Sequence, residues 1–317
     1  MSRYWLGRVA QAVPMLVAVS LSVFVVLQLA PGDPATLLAD PAYLSEQQRA
    51  ELRASLGLGE PLPIQYVRTM GGILDGSLRS FRTKEPTIAM LGDALPVTAT
   101  VALLGMAVAT TIGVSLGALA ARRPGGALDR LLSIGVVSAI SVPTFVLSLL
   151  LLRVFAEGLR LLPATGIRPI GSSGLDPIAS IPHLVLPVAV TAFPLAAIIA
   201  RYARDAVREA LSADHVRTAR GKGLHDAVVH RRHVLRSALV PIVSVVGTVT
   251  PLLLGGSVIV ESIFGLPGVG RIAVAAALQR DFPVVMTTTL FAAILVIFAN
   301  LVTDIAYGYA DPRIRLR

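Results

Sequence analysis

Residues 94–120 read ALPVTATVALLGMAVATTIGVSLGALA, an apolar stretch of 27 residues without a charged side chain. A helix needs about 20 such residues to cross the hydrocarbon core of a bilayer. Five further stretches have the same character, namely 9–29, 131–152, 182–200, 238–260 and 284–306. The sequence therefore predicts an all-α polytopic membrane protein with six transmembrane helices.

The composition supports this prediction. Of the 317 residues, 54% are hydrophobic and only 15% are charged, whereas soluble proteins carry about a quarter charged residues. So little polar surface excludes a disordered chain and argues against a soluble enzyme. Within the six stretches the ionisable side chains are His183, at an edge, and Asp304, near the end of the last stretch.

The first apolar stretch is expected to be a retained helix rather than a cleaved signal peptide. Arg3 and Arg8 precede it, as basic residues precede a signal peptide. Its apolar run of 21 residues is nevertheless longer than the ~7–15 residues of a signal-peptide core. We therefore count it as the first span.

The net charge of +9 is distributed unevenly among the loops. The segments 1–8, 121–130, 201–237 and 309–317 together carry +11, and the intervening loops together carry −2. Basic residues concentrate in the cytoplasmic loops of membrane proteins. The pattern therefore predicts cytoplasmic N- and C-termini, and it explains the basicity without a nucleic-acid partner.

The loop 30–93, between the first and second helices, is predicted to be extracytoplasmic and mostly helical. Ser45 and Gln48 form a capping box ahead of a helix over 47–56. An amphipathic stretch over 64–74 follows, with Ile64, Val67, Met70, Ile73 and Leu74 on one face. We expect a small folded cap on the outer ends of the helices, which either contacts a substrate or partner or packs on the membrane domain.

The loop 201–237 is predicted to be cytoplasmic and carries nine basic and four acidic residues. Asp214 can cap a short helix that Gly221 and Gly223 interrupt, and a second helix is expected to start near Asp226. A basic helix–turn–helix of this kind suits docking either to another protein or to anionic lipid headgroups.

Two apparent sites in this loop are rejected. His215, His225, His230 and His233 lie close in sequence, but no cysteine accompanies them and neighbouring arginines would repel a cation, so no metal site is predicted. The Gly-Lys-Gly at 221–223 lacks the full phosphate-loop pattern and does not follow a strand.

Polar and helix-breaking residues inside the spans are candidates for a gated pathway, because proline frees a backbone carbonyl that a nearby hydroxyl can satisfy. These candidates are Ser141, Pro143, Thr144, Thr191, Pro194, Thr248 and Pro251. Gly113 and Gly117 form a G-x-x-x-G pattern that predicts close approach of another helix. The sequence contains neither a nucleotide-binding motif nor a catalytic constellation, so we interpret the chain as a pore that depends on a separate motor rather than an enzyme.

One motif set resembles a known family. The stretch VRTARGKGL at 216–224, followed by His233, Leu235, Arg236 and Pro241, is similar to the coupling segment of permeases from binding-protein-dependent ABC importers. Further matches lie at 30–34, 61–66, 256–264, 267–270, 280–283 and 311–315. The long first outer loop and the Asp-Pro-Arg ending resemble the B-type subunit of the peptide/nickel subgroup.

The resemblance implies a type I ABC importer permease fold, with a core over 94–308 after an N-terminal helix at 1–29 and the outer loop at 30–93, and with a cytoplasmic tail at 309–317. It implies a bacterial plasma (inner) membrane protein that forms half of a pathway for di- or oligopeptides. The implied partners are a homologous second permease, two ATPase subunits and an extracytoplasmic solute-binding protein, with the lipid bilayer around them.

The resemblance also implies a site. The coupling helix would enter a cleft of one ATPase, where ATP and Mg²⁺ are bound by that partner and no cofactor by this chain. The residues assigned to coupling are Arg217, Thr218, Ala219, Arg220, Lys222, Gly223 and Leu224. Gly223 would permit the tight bend, and the basic side chains would meet acidic or polar groups.

Two alternatives remain open at this stage. Nickel chelates, glutathione or another small solute could replace peptides as the substrate. A self-sufficient secondary carrier or channel is a different class of protein, but such carriers usually keep charged residues within their spans to bind a coupling ion.

Overall fold

The computed structural model describes residues 2–30, 45–167 and 177–310. The turn residues at 31–34 and the ending at 311–315 lie outside the described residues. The described part is mostly helical. Its α-helices are α1 (Ser2–Leu29), α2 (Glu46–Ser55), α3 (Leu62–Leu74), α4 (Thr87–Ala121), α5 (Ala127–Ser141), α6 (Thr144–Leu151), α7 (Pro177–Ser212), α8 (Asp214–Gly221), α9 (Asp226–Val229), α10 (Leu235–Ile263), α11 (Val269–Leu278) and α12 (Phe282–Ala310).

Two short π-helical segments extend this set. Leu152–Gly158 continues α6, and His230–Val234 joins α9 to α10. Because α9, the π-helical segment and α10 follow one another without a loop, the chain enters the long helix α10 directly from the segment 226–234.

Five stretches of the described residues are long and apolar enough to cross a membrane. They are Ala10–Leu29, Thr87–Ala121, Ile178–Ser212, Asp226–Leu253 and Phe282–Ala306, and a sixth span results if α5 and the segment Thr144–Gly158 are counted as one broken helix. Each coincides with one of the six predicted apolar stretches, so the polytopic all-α class is confirmed.

The third predicted span differs from a continuous helix. Ala127–Ser141 and Thr144–Gly158 meet at an angle of 100°. At the break Val142 has an extended backbone, with φ −80° and ψ 118°, and Pro143 follows it. Proline lacks an N–H and disfavours helical geometry in the residue before it, which explains why the helix stops here.

The described chain divides into two compact units. One comprises residues 99–266 with 298–310, and the other comprises 2–98 with 267–297. In the first unit α4, α7 and α10 share an apolar core. Its members include Ala109, Leu195, Ile199, Val245, Val249 and Leu253.

The G-x-x-x-G pattern of α4 packs against α7, as the sequence predicted. A Cβ atom at Gly113 would lie 2.8 Å from the Ala196 carbonyl oxygen, and one at Gly117 would lie 2.8 Å from the Arg204 nitrogen. These are backbone atoms, so neither position has room for a side chain. Glycine is therefore required here for the close approach of two membrane helices.

The second unit contains the folded outer loop. The capping box of Ser45 and Gln48 is confirmed, because each side chain bonds the other residue's backbone N–H. Further along, Asp281 accepts hydrogen bonds from the Ser80 hydroxyl and from the Phe81 N–H, the latter at 3.0 Å. These bonds attach the turn at 79–86 to the residue just ahead of α12.

The predicted apolar face of α3 is largely exposed at three positions. Ile64, Val67 and Leu74 have exposed fractions of 50%, 68% and 87%. The helix contacts α1 through Tyr66, whose ring meets Phe24 edge-on at 5.4 Å and whose hydroxyl bonds Ser20 at 2.8 Å. An aromatic ring with a polar tip satisfies both packing and hydrogen bonding, so it suits this contact.

Candidate functional site

Residues 214–229 form a helix–turn–helix that we term the basic hairpin, comprising α8, a glycine turn and α9. Gly223, at φ +77°, lies just past the end of α8. Its N–H donates to the Arg220 carbonyl at 2.9 Å, and the Leu224 N–H donates to the Ala219 carbonyl at 3.4 Å. This pair of bonds is a Schellman motif, whose left-handed residue favours glycine. The predicted break at the glycines is confirmed. The predicted cap by Asp214 is wrong, because Asp214 is the first residue of α8 and Ala213 occupies the N-cap position without a side-chain hydrogen bond.

The start of α9 depends on a histidine. The Nδ1 atom of His225 accepts a hydrogen bond from the Ala227 N–H at 3.3 Å, and the His225 carbonyl accepts from Val229 at 3.1 Å. His225 therefore occupies the N-cap position that serine or threonine usually fills. The helix begins at Asp226, as predicted.

Buried apolar side chains hold the basic hairpin to the bundle. Val216, Ala219 and Val229 are at most 5% exposed. They pack in one cluster with residues of α4, α7 and α10, namely Ala121, Ala203, Ala206, Val207, Ala210, Ala238 and Ile242. Because the hairpin is packed against three long helices, it cannot be displaced unless these helices also move.

A polar contact adds to this attachment. The Ser237 hydroxyl and the His215 Nε2 atom lie 3.0 Å apart, joining α8 to the beginning of α10. The four histidines of the loop thus have separate surroundings, and the described residues contain no group of three or more His, Cys, Asp or Glu side chains able to hold a metal ion.

The outer surface of the hairpin is cationic. Arg217 lies 3.7 Å from Asp214 on the same helix, and Arg220 lies 3.4 Å from Asp226 across the glycine turn. Both pairs are exposed, so each is worth little to stability. Lys222 at the turn is also exposed.

Six of the seven residues assigned to coupling are exposed, and the seventh, Ala219, is buried. Arg217, Thr218, Arg220, Lys222, Gly223 and Leu224 lie on the surface. Ala219 instead points into the core and is 5% exposed. It lies three residues after Val216, so both fall on the buried face of α8. Ala219 is thus an anchor of the hairpin and not part of its outer surface.

A second cluster near the hairpin escaped the sequence analysis. Asp129, only 8% exposed, lies 2.5 Å from an Arg208 nitrogen and 3.2 Å from an Arg204 nitrogen, and it accepts the Gly125 N–H at 2.8 Å. These contacts join the first turn of α5, and through Gly125 the loop before it, to the last turns of α7. The lone acid among Arg122, Arg123 and Arg130 was the available signal, but it could not identify partners 75 and 79 residues away.

Three of the seven pathway candidates lie together. Thr144, Thr191 and Pro194 line a cavity of about 170 Å³, whose other walls are Val190, Leu195, Ile198, Leu252, Leu253 and Val260. The other four candidates do not line this cavity, namely Ser141, Pro143, Thr248 and Pro251.

The hydroxyl groups in these helices bond within their own helix. Thr191 donates to the Pro187 carbonyl at 2.8 Å, and Thr248 donates to the Ser244 carbonyl at 3.0 Å. Each bond reaches four residues back, whereas the carbonyls freed by Pro194 and Pro251 belong to Val190 and Gly247. Back-bonding of this type bends membrane helices on its own.

Comparison with known proteins identifies the class. Residues 113–316 match the family model described as "Binding-protein-dependent transport system inner membrane component", and residues 1–102 match the model for the N-terminal part of such components. The chain belongs to this family and is a multi-pass membrane permease, a non-catalytic subunit of an ABC importer.

Individual relatives match over nearly the whole length. The chain is 38% identical over 99% of its residues to the "Probable peptide ABC transporter permease protein y4tP" of Sinorhizobium fredii, covering all of that protein. It is 34% identical over 99% of its residues to the "Oligopeptide transport system permease protein AppB" of Bacillus subtilis, again covering 99% of the relative.

A solved structure has the same fold. The model superposes on a chain from the inward-facing MetNI methionine ABC transporter with a TM-score of 0.56 and 19% identity. The match covers 72% of this chain and 99% of that chain. It places the helical core in the type I importer permease class.

Proposed function

We propose that this chain is one of two permease subunits in an ATP-driven importer of di- or oligopeptides. The carrying observation is the basic hairpin, an exposed cationic element fixed by Val216, Ala219 and Val229 to three long helices. The names of the two full-length relatives favour peptides over nickel chelates, glutathione or other small solutes.

The remaining subunits supply what this chain lacks. In the proposed assembly two ATPases bind and hydrolyse ATP with Mg²⁺, a homologous permease forms the other half of the pathway, and a binding protein delivers the peptide. The assembly sits in the bacterial inner membrane. The basic hairpin and both termini face the cytoplasm, in agreement with the +5 charge of the segment 201–237.

The mechanical role of the hairpin follows from its two faces. Arg217, Arg220 and Lys222 present positive charge to an acidic or polar cleft of the ATPase, while Val216 and Ala219 fix the other face in the bundle. When the ATPases close on ATP, the cleft pushes the hairpin. Since the buried face cannot slide on a packed core, the push is passed to α7 and α10.

The cavity at Thr144, Thr191 and Pro194 is the proposed part of the pathway in this chain. Its volume of about 170 Å³ is too small for a dipeptide, because ligand sites usually measure about 300–1,000 Å³. It would enlarge as the helices rock about the proline bends. The hydroxyl of Thr191 could then exchange its bond to the Pro187 carbonyl for a peptide amide.

Substitution of Gly223 by tryptophan tests the coupling role. A Cβ atom at Gly223 meets no heavy atom within 4 Å, so the indole would extend from the hairpin surface into the cleft of the ATPase. We expect Gly223→Trp to leave membrane insertion intact, to reduce peptide uptake at least tenfold, and to leave ATP hydrolysis unresponsive to the peptide-loaded binding protein. The measurement uses the complete importer in proteoliposomes.

Two controls separate bulk from backbone strain. Gly223→Ala imposes the left-handed strain, about 1 kcal/mol, without the bulk. Gly76→Trp places the same side chain at another left-handed glycine, φ +75°, on the outer loop. Both are expected to retain most of the uptake. Unchanged uptake in Gly223→Trp would overturn the coupling role, and uptake by this chain alone without ATP would indicate a secondary carrier.

A further inference from the structure

A basic pocket lies beside the hairpin, where the chain enters α10. Its lining consists of Ala227, Val228, Arg231, Arg232 and Arg236, and it is an open pocket of about 490 Å³. All three arginines therefore border one space. None of them is among the seven residues assigned to ATPase coupling, although Arg236 lies in the motif that resembles the coupling segment.

The three arginines differ from most other arginines of the loop in their pairing. Arg204 and Arg208 are held by Asp129, and Arg217 and Arg220 by acids of the hairpin. Arg231, Arg232 and Arg236, like Arg201, have no carboxylate within 4.0 Å among the described residues, but only these three border the pocket. A concentration of three unneutralised guanidinium groups around an open pocket attracts an anion.

The pocket continues into an apolar surface. Val228 in its wall is 43% exposed, and Leu239, three residues after Arg236 on α10, is 49% exposed. Leu239 lies within the stretch Asp226–Leu253, which is long and apolar enough to cross a membrane. One side of the chain thus changes from guanidinium groups to aliphatic side chains within about a turn of helix, or roughly 5 Å.

We propose that this pocket binds the headgroup of an anionic phospholipid. The arginines would hold the phosphate, to which guanidinium groups bind through paired hydrogen bonds, and Leu239 would contact the start of an acyl chain. A free phosphate would use only the charged part of this surface. A phospholipid likewise has a charged headgroup next to an apolar chain, so a charged pocket beside exposed aliphatic side chains at the end of a span favours a lipid.

The bound lipid would hold the junction between the hairpin and α10. The pocket is formed by α9, the π-helical segment His230–Val234 and the first turn of α10. A headgroup bridging Arg231 and Arg236 would join that π-helical segment to the first turn of α10. This effect does not require the ATPase assignment, so the two proposals can fail separately.

Lipid binding by the purified full-length chain in detergent tests the pocket. The probe is dioleoyl phosphatidylglycerol, with dioleoyl phosphatidylcholine as the zwitterionic reference, and bound lipids are counted by native mass spectrometry. The variant is R231Q/R232Q/R236Q, and R231K/R232K/R236K retains the charge. The matched control is R217Q/R220Q/K222Q, which removes the same charge from the same loop outside the pocket.

The wild-type chain should prefer phosphatidylglycerol. We expect the pocket glutamine variant to lose about tenfold or more of that affinity. The lysine variant keeps the charge but not the paired hydrogen bonds, so it should lose less than the glutamine variant, and the matched control should keep most of the affinity. Equal losses in the pocket and control variants would mean bulk charge attraction and overturn the site, as would unchanged binding in the pocket variant. Full displacement of the lipid by millimolar inorganic phosphate would assign the pocket to a free anion instead.

A protein occupant gives a distinct result. If the pocket served an acidic surface of the ATPase, the glutamine variant would keep its lipid binding but lose co-purification with the ATPase, which would overturn the lipid proposal. Under the proposed function the matched control loses ATPase coupling and keeps its lipid. The two readouts therefore distinguish a failure of the lipid site from a failure of the coupling site.

Discussion

Asp129 makes several contacts that no sequence pattern predicted. Its carboxylate meets two guanidinium groups and a backbone N–H, and the side chain is 11% exposed. Removing one partner of a buried ionic cluster costs more than the pair itself contributes, because the remaining charges lose their counter-charge. The cluster therefore holds the first turn of α5 against the last turns of α7.

We expect Asp129→Asn to lower the stability of the protein because two arginines lose their counter-charge, and by less than for a fully buried pair because Arg208 is 32% exposed. Thermal unfolding of the purified chain in detergent measures this loss. The control is Asp205→Asn, since Asp205 also pairs with Arg204, at 3.1 Å, but is 54% exposed. Equal melting temperatures for the two variants would contradict the structural role of Asp129.

Gly117 gives a second prediction, based on the sign of an effect. Glycine to alanine in a helix interior ordinarily stabilises by about 0.5–1 kcal/mol. A Cβ atom at Gly117 would lie 2.8 Å from the Arg204 nitrogen and 2.9 Å from the Ala203 Cβ, whereas one at Gly135 on α5 meets nothing within 4 Å.

Gly117→Ala is therefore expected to lower the melting temperature, since α4 and α7 must separate by several tenths of an ångström or lose contacts. Gly135→Ala should leave it unchanged or raise it. The same detergent assay measures both variants, and a gain in stability for Gly117→Ala would mean that the helices are not closely packed there.

At the scale of single elements, the cap of α9 is the most specific feature of the hairpin. The His225 side chain accepts the Ala227 N–H, a task that serine performs better on a typical N-cap scale. We expect His225→Ala to expose the amides of 226–234 to faster hydrogen–deuterium exchange, and His225→Ser to restore or exceed the protection of the natural chain.

The magnitude of this effect is that of a lost N-cap, about 0.5–2 kcal/mol, or roughly 2- to 30-fold in local opening. Peptide-resolved exchange over α9 and the π-helical segment provides the measurement, and α3 serves as an internal reference. If His225→Ala and His225→Ser exchange at the same rate, the histidine does not cap the helix through its side chain.

The elements differ in how far the sequence determined them. The spans could be predicted because an apolar run of 20 or more residues has one stable environment. The break at Pro143 was visible as a helix breaker, but its 100° angle depends on packing. The contact of α3 with α1 was not predicted, because the apolar pattern over 64–74 gives no sign that Tyr66 meets Ser20 and Phe24 of α1.

The same limit applies to the candidate site. The glycine turn and the start of α9 follow from local rules, so the hairpin was predictable from residues 214–226 alone. The burial of Ala219 and the pairing of Asp129 depend on contacts between residues far apart in sequence. Local periodicity carries no information on such partners.

At the scale of the whole molecule, the distribution of charge predicts on which side of the membrane each loop lies. The segments 121–130 and 201–237 were assigned to one side of the membrane by their basic residues. In the structure Asp129 of the first segment bonds Arg204 and Arg208 of the second. Two segments on opposite sides of a bilayer could not make these contacts, so they support the predicted side assignment.

The absence of cysteine from the sequence allows a direct test of orientation. Ser55→Cys lies on the loop 45–93 and Ser212→Cys at the end of α7, and both positions are exposed. In intact cells a membrane-impermeant maleimide should label Ser55→Cys and not Ser212→Cys, while permeabilised cells should show both. The natural chain is the blank. If only Ser212→Cys is labelled in intact cells, the topology is the reverse of the predicted one. The basic hairpin would then lie where no cytoplasmic ATPase could reach it.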